Sequence, residues 1–419
     1  MILVLFTASY PYDYAAEQTF LEEEVRILAG KFERAILVPR YRRGSKFPLP
    51  DGVETDESYA GLFAASRLSI GKALRSAFSS CFWRDLAARP AILTHPSALA
   101  RLAGFLQNAR LTQKWVEAWF SRQALPPQDV IFYTYWFDET AMGIGMAKRN
   151  IPEIRVVSRA HGYDLYEERH DFPYWPCRRA AISLTDCIFP DSEAGLKYLQ
   201  AKYPQFESKY RTGLLGIASP GFKSSSSTDG AFRIVSCSRL VPVKRVRLLL
   251  EGILQAAARK KELRFYWTHF GEGDERERLR EDAARNFPPN ARADFPGYES
   301  QRTLFEFYRD NPVDVFVNVS ASEGTPVAVM EAVSCGIPVI ATAVGGNVEI
   351  VSSRNGILLS ANPSPDEIAS ALLEMCEDRE ENAQKREASL QVWREKYNAP
   401  VNFTNFADAL IQIRRKRLR

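Results

Sequence analysis

No C-x-x-C pair occurs in the chain, and its six cysteines (Cys81, Cys177, Cys187, Cys237, Cys335 and Cys376) are scattered through 419 residues. That spacing argues against a disulfide framework and a structural zinc site, and it suits a reducing cytosol. No run approaches the ~18 to 20 apolar residues of a spanning helix, so no integral membrane segment is expected. The opening MILVLF lacks a basic flank and a small-residue cleavage site, and it reads as a first strand and not as an export signal. Also missing is G-x-G-x-x-G after the first strand of either half. GEGDER, at 271–276, has no third glycine and follows a later strand, which argues against a nicotinamide dehydrogenase.

What is present is the balance of a globular protein, 46% hydrophobic and 25% charged. The length fits two domains, with a cleft expected between them. Short apolar strands alternate with amphipathic helices, the pattern of parallel sheets covered on both faces, so an α/β fold with two doubly wound, Rossmann-like domains is expected. Strands are read at 2–6, 35–39, 130–134, 155–159 and 187–190 in the first half, and at 232–237, 263–269, 314–319 and 338–342 in the second. Between 60 and 124 the apolar residues recur at helical spacing instead, as at Leu74, Phe78, Phe82 and Leu86, or Leu99, Leu102 and Leu106. This helical insertion holds nine Lys or Arg against Asp85 and Glu117. The stretch 219–230, with its serine run, is the linker candidate. It sets domains at 1–222 and 223–399, followed by an amphipathic helix over 400–419 expected to pack back on the first domain.

The chemistry concentrates between Asn318 and Gly346, in NVSASEGTPVAVMEAVSCGIPVIATAVGG. An apolar strand ends there, a short loop carries Glu323 and Gly324, and Pro326 stands where a first helical residue is favourable. The N–H groups of Gly324, Thr325 and Val327 at such a helix start form an anion site suited to phosphate. Glu331 interrupts an apolar run and is expected to be partly buried, accepting hydrogen bonds from vicinal ribose hydroxyls. The alternative makes Glu323 a helix cap and Glu331 a surface residue. In SRLVPVKR, at 238–245, Arg239 and Lys244 follow the first strand of the second half. Both sit on the rim that holds Glu323 and can neutralise a diphosphate without a metal. TYW at 134–136 adds aromatic surface suited to sugar rings, with a buried core role as the alternative.

SRLVPVKR, FGEGDERERL and SEGTPVAVMEAVSCGIPVIATAVGG together resemble the donor half of family 4 retaining glycosyltransferases of the GT-B fold, with the E-x7-E element at Glu323 and Glu331. The resemblance implies that Arg239 and Lys244 bind the donor pyrophosphate, Glu323 the donor sugar and Glu331 the ribose. It places Gly271 and Gly273 near the nucleoside and Gly345 and Gly346 at a glycine turn. SRAHGYDLYEE, at 158–168, is similar to the histidine motif of bacterial polysaccharide enzymes of this family, which implies that His161 and Asp164 lie by the donor sugar and phosphate. Asn347 and Thr325 depart from the family's usual residues, and ASYPYDYAAEQT replaces its glycine pair after the first strand.

The implied activity is transfer, with retention, from a nucleotide diphosphate sugar, UDP favoured, to a saccharide or lipid-linked saccharide in bacterial surface polysaccharide synthesis. No cofactor or metal is expected, and no nucleic acid partner. The basic insertion could lie against anionic headgroups, which would put a cytoplasmic protein at the inner face of the membrane, or be a solvated face. A sugar-nucleotide epimerase of the same fold and a non-catalytic polyanion-binding protein are the competing readings. The second leaves Glu323 and Glu331 unexplained.

Overall fold

The computed structural model describes residues 1–14, 17–66 and 79–415. The chain forms two compact units, Met1–Leu215 with Pro400–Arg419, and Gly216–Ala399. In the first, strands β1 (Ile2–Thr7), β2 (Arg34–Pro39), β3 (Val53–Thr55), β4 (Val130–Thr134), β5 (Arg155–Ala160) and β6 (Cys187–Pro190) form one parallel sheet in the order β3-β2-β1-β4-β5-β6. In the second, β7 (Ala231–Cys237), β8 (Arg264–Phe270), β9 (Ala291–Gly297), β10 (Val315–Asn318), β11 (Val339–Thr342) and β12 (Gly356–Leu359) form a second parallel sheet, in the order β12-β11-β10-β7-β8-β9. The two orders are the same doubly wound topology. Strand order reverses beside β1 and β4 in one unit and beside β7 and β10 in the other, so each sheet opens a ligand crevice at the carboxyl ends of those strands.

The central strands are buried on both faces, which explains their unbroken apolar runs. In the second unit, helix Val246–Arg259 turns Leu249, Leu250, Ile253 and Ala256 onto the sheet and packs against helix Pro365–Glu377. In the first unit, helix Ala399–Arg415 buries Phe406, Leu410 and Ile413 against Leu3, Leu5 and Tyr133. Arg159, fully buried, tethers it. Its guanidinium lies 3.2 Å from Glu24 and 4.1 Å from the Phe406 ring, and it donates to the carbonyl of Gly213. Such a buried cation is tolerated because each of these partners offsets its desolvation.

The helical segment contains Ser58–Ala65, Ser80–Ala88 and Pro96–Gln123. Phe82 and Leu86 lie on the second of these and Leu99, Leu102 and Leu106 on the third, while Leu74 and Phe78 lie outside the described residues, as do the last four residues of the basic tail. No described helix is long and apolar enough to cross a membrane. The crossing between units falls at Gly216 and not within 219–230. Ile217 bridges Asn398 and accepts from the Trp393 indole at 2.9 Å, which holds it to the second unit. The serine run is not a free linker either. Ser227 donates from its backbone N–H and its hydroxyl to Asp314 (2.8 and 2.6 Å), and Arg386 donates to the Ser224 carbonyl.

Candidate active site

At the crevice of the second sheet, the loop after β7 and the loop after β10 meet. Arg245, in a left-handed conformation with φ of 50°, donates to the carbonyls of Val319 (2.7 Å) and Ser320 (2.8 Å), and the Ala321 N–H donates to Val243 (2.8 Å). These bonds carry Lys244 to the far loop, where its ammonium stands 2.7 Å from Oε1 of Glu323. Asn318 donates to the same oxygen at 3.0 Å. Burial works to raise the Glu323 carboxyl, but the Lys244 charge and these hydrogen bonds outweigh it and hold the group below its ordinary range. Arg239, at the start of the β7 loop, is exposed.

Pro326 is the residue before the helix Val327–Ser334, with φ of −80° and ψ of 94°, and not its first helical residue. Its carbonyl accepts from Val329 and Met330, both at 3.1 Å, and the helix geometry leaves the N–H groups of Val327 and Ala328 without helical acceptors. Gly345, with φ of +50°, holds the neighbouring turn hard against this loop, where a Cβ would fall 2.0 Å from the Glu323 carbonyl. Gly346 donates to the Gly324 carbonyl at 2.9 Å, beside Thr325. The β8 loop closes in from the other side. Gly271 presses on the Ser238 carbonyl, Leu240 donates to Glu272 at 2.8 Å, and Gly273 leads into helix Arg276–Asn286.

Glu331 lies just over one turn into its helix, 5% exposed, and accepts from Gln301 at 2.6 Å. Burial pushes its carboxyl up to about 7, with the Gln301 bond opposing. The folded chain therefore holds this proton more tightly than the unfolded chain. Stability conferred by the neutral group is present below the ordinary carboxylate range and declines as pH rises to about 7, where it levels off. Denaturant midpoints across that range should fall less in Glu331→Gln than in the wild type. Parallel curves would remove the assignment.

In the first unit His161 directly follows β5. Its Nδ1 lies 3.0 Å from Asp191, its ring packs between Tyr135 and Trp136, and its Nε2 is buried with no hydrogen-bond partner among the described residues. Asp164 accepts from the N–H groups of His161 (2.6 Å) and Phe137 (2.5 Å), so it caps the helix start and fixes the histidine's backbone. The loop after β1 is closed from within. Buried Glu17 accepts from the N–H groups of Ala8, Ser9 and Tyr10 at 2.7–2.9 Å and from the Trp136 indole at 2.6 Å. A side-chain carboxylate thus occupies the backbone donors of this loop. Of the TYW residues, Thr134 and Tyr135 are core, and only Trp136 is partly exposed.

Residues 221–392 match the family described as glycosyl transferases group 1. The GtfA subunit of the UDP-N-acetylglucosamine–peptide N-acetylglucosaminyltransferase of Streptococcus agalactiae is 31% identical over 145 residues, 34% of this chain and 27% of the relative. The chain thus spans about a quarter of the length of that relative. The apo lipopolysaccharide outer core galactosyltransferase WaaB superposes with a TM-score of 0.69 at 13% identity, over 98% of this chain and 99% of that one. Anabaena HepE in complex with UDP gives 0.64 at 17%, over 98% and 99%. The fold is GT-B, and the match to the group 1 glycosyl transferases covers residues 221–392, within the second unit. At these identities the solved structures speak for the fold alone.

Within this GT-B chain, the structure brings Lys244, Glu323, Gly324 and Thr325 together with the start of helix Val327–Ser334, and it sets Arg239, Gly271 and Gly273 on the adjoining loops. The pairing of Lys244 with Glu323 was not readable from the motifs, which place the two residues on one rim without saying that they touch. Arg245 and Gln301 were also missed. A second cation after Lys244 was the only signal for the first, and a glutamine in an amphipathic helix carries none.

Proposed function

We propose that the chain is a metal-independent glycosyltransferase that takes a sugar, with retention, from a nucleotide diphosphate sugar held by the second unit. The acceptor is a saccharide or lipid-linked saccharide of bacterial surface polysaccharide synthesis. The observation that carries this reading is the Lys244–Glu323 pair at the crevice of β7 and β10, beside a helix N-terminus and the exposed Arg239. Two cations and free backbone N–H groups suit a diphosphate and stabilise it as its charge develops on departure. Ionised Glu323 can accept from sugar hydroxyls, and Glu331 is assigned to accept from ribose. Glu323 and His161 are assigned to positioning and electrostatics and not to proton abstraction. UDP as the carrier is supported by HepE, solved with UDP, and by pneumococcal GtfA, solved with UDP and GlcNAc.

The test is thermal stabilisation by UDP, GDP, ADP and their sugars without metal. A true donor at about 100 times its dissociation constant adds about 2.7 kcal/mol, a shift of a few degrees. The shift is expected with one base and is expected to be lost in Arg239→Ala. Indifference to every nucleotide, with binding to polyanions that falls steeply with salt, would favour the non-catalytic reading.

A further inference from the structure

Cys81 and Cys177 are far apart in sequence, yet their thiols are hydrogen-bonded to each other in the fold. Cys81 is half-buried in the first turn of helix Ser80–Ala88, and Cys177 is the buried residue that precedes helix Arg178–Leu184. The surrounding packing builds this contact. Asp85, one turn beyond Cys81 on the same face of its helix, accepts from the Cys177 N–H at 2.6 Å and from the Tyr174 hydroxyl at 2.5 Å. Arg89, at the end of that helix, donates to the Pro173 carbonyl at 2.6 Å and to Glu167 at 2.7 Å. Leu86 joins the same apolar cluster as Tyr174 and Cys177. Cys177 has φ of 52°, a conformation costly for a residue with a Cβ, and the bond to Asp85 holds it there.

The two sulfurs differ from the other four. Burial pushes up the thiols of Cys187, Cys237, Cys335 and Cys376, which leaves them protonated and inert. Cys81 is lowered to about 7, chiefly because Cys177 donates to its sulfur, with burial and Asp85 opposing and the charges of Arg84 and Arg149 assisting. The same bond, with burial, raises Cys177. A partly exposed thiolate thus stands against a protonated thiol, the arrangement of an attacking and a resolving cysteine.

A metal would need further ligands, and among the described residues no group of three or more His, Cys, Asp or Glu could hold one. A pair kept for its volume alone would need neither an exposed sulfur nor a sulfur–sulfur hydrogen bond. We infer that Cys81 and Cys177 form a reversible redox site, closed to an intramolecular disulfide by a small-molecule disulfide such as glutathione disulfide. The Cys81 thiolate attacks one sulfur of the small disulfide, which forms a mixed disulfide and expels one thiolate. Cys177 then loses its proton, attacks Sγ of Cys81 and expels the second thiolate. Two protein thiols are oxidised, and one small disulfide is reduced to two thiols. The new bond closes a loop of about one hundred residues and fixes helix Ser80–Ala88 to the residue before Arg178. Arg178 donates to the Asp164 carbonyl and lies 5.0 Å from the Phe137 and Trp175 rings, so the lock extends to the turn after β5. The site does not depend on the transferase reading.

The test exposes the full chain at neutral pH to glutathione buffers of rising oxidised fraction. Acid quenching, trypsin digestion without reductant and mass spectrometry follow. Peptides 76–84 and 170–178 should appear joined, at their summed mass less two hydrogens, with two of the six thiols lost. The melting temperature should rise by roughly 5–10 °C and return on reduction with dithiothreitol. Cys81→Ser, at the half-buried position, keeps the fold and should show neither the joined peptide nor the rise, whereas Cys376→Ser should show both. Iodoacetamide at neutral pH should alkylate Cys81 about tenfold faster than any other cysteine. Four results would each overturn the inference: a glutathione adduct on Cys81 with no joined peptide, joining only in denaturant, joining with no rise in melting temperature, or a rise that survives in Cys81→Ser.

Discussion

Lys244→Ala is expected to lower kcat/KM for sugar transfer by about 10²–10³, the range seen when one preorganised charge-stabilising donor is removed. Two losses combine. The diphosphate loses a cation as it departs, and Glu323, 7% exposed, loses the ammonium 2.7 Å away that keeps it ionised. Without Lys244, burial is opposed only by the neutral hydrogen bonds, so the Glu323 carboxyl rises and residual activity should increase with pH where wild-type activity is flat. Stability should fall as well, because a buried carboxylate loses its counter-charge. The double variant Lys244→Met with Glu323→Gln separates these effects. It removes both charges, so its melting temperature should recover towards the wild type while turnover stays low. Steady-state kinetics and thermal denaturation on the three proteins suffice. Turnover of Lys244→Ala within about threefold of the wild type would mean that the ion pair is purely structural, since one such donor is worth far more.

That ion pair also marks how far sequence reasoning reaches in this chain. Strands β4 and β6 were legible to the residue, and β1, β2, β5, β7, β8, β10 and β11 to within one residue at each end, because burial on both faces demands an unbroken apolar run. The three strands that were not read, β3, β9 and β12, all lie at sheet edges. There one face is wet, as the alternating burial of β9 shows, and a run such as ARADFPG carries no apolar signal. The same limit applies to the site. Glu331 was legible because a carboxylate inside an apolar run must be buried, whereas Gln301, which meets it from another helix, was not. The closed β1 loop depended on Glu17 folding back across nine residues to Ala8, a contact that no spacing rule encodes.

Gly271→Ala should produce the largest loss of stability of any single methyl addition in the crevice of the second sheet. Gly271 has φ of +146°, outside the range of L side chains, and an added Cβ would stand 1.8 Å from the Ser238 carbonyl oxygen. The obstacle is backbone, which cannot rotate away as a side chain can. Backbone strain at positive φ costs about 1–3 kcal/mol, and overpacking costs a similar amount. A fall in melting temperature of roughly 10 °C is expected for a unit of this size. Relief requires the loop after β7 to retreat, and that loop carries Arg239 next to Ser238 and Lys244 beyond it, so nucleoside diphosphate affinity should fall with stability. Gly61→Ala is the control. Gly61 lies in the helix Ser58–Ala65 with no described residue within 4 Å of its would-be Cβ, and alanine there should stabilise by about 0.5–1 kcal/mol. Equal melting temperatures for the two variants would show that the loop after β7 yields freely. In that case the close approach of the glycine loop would not be what holds Arg239 and Lys244 at the crevice.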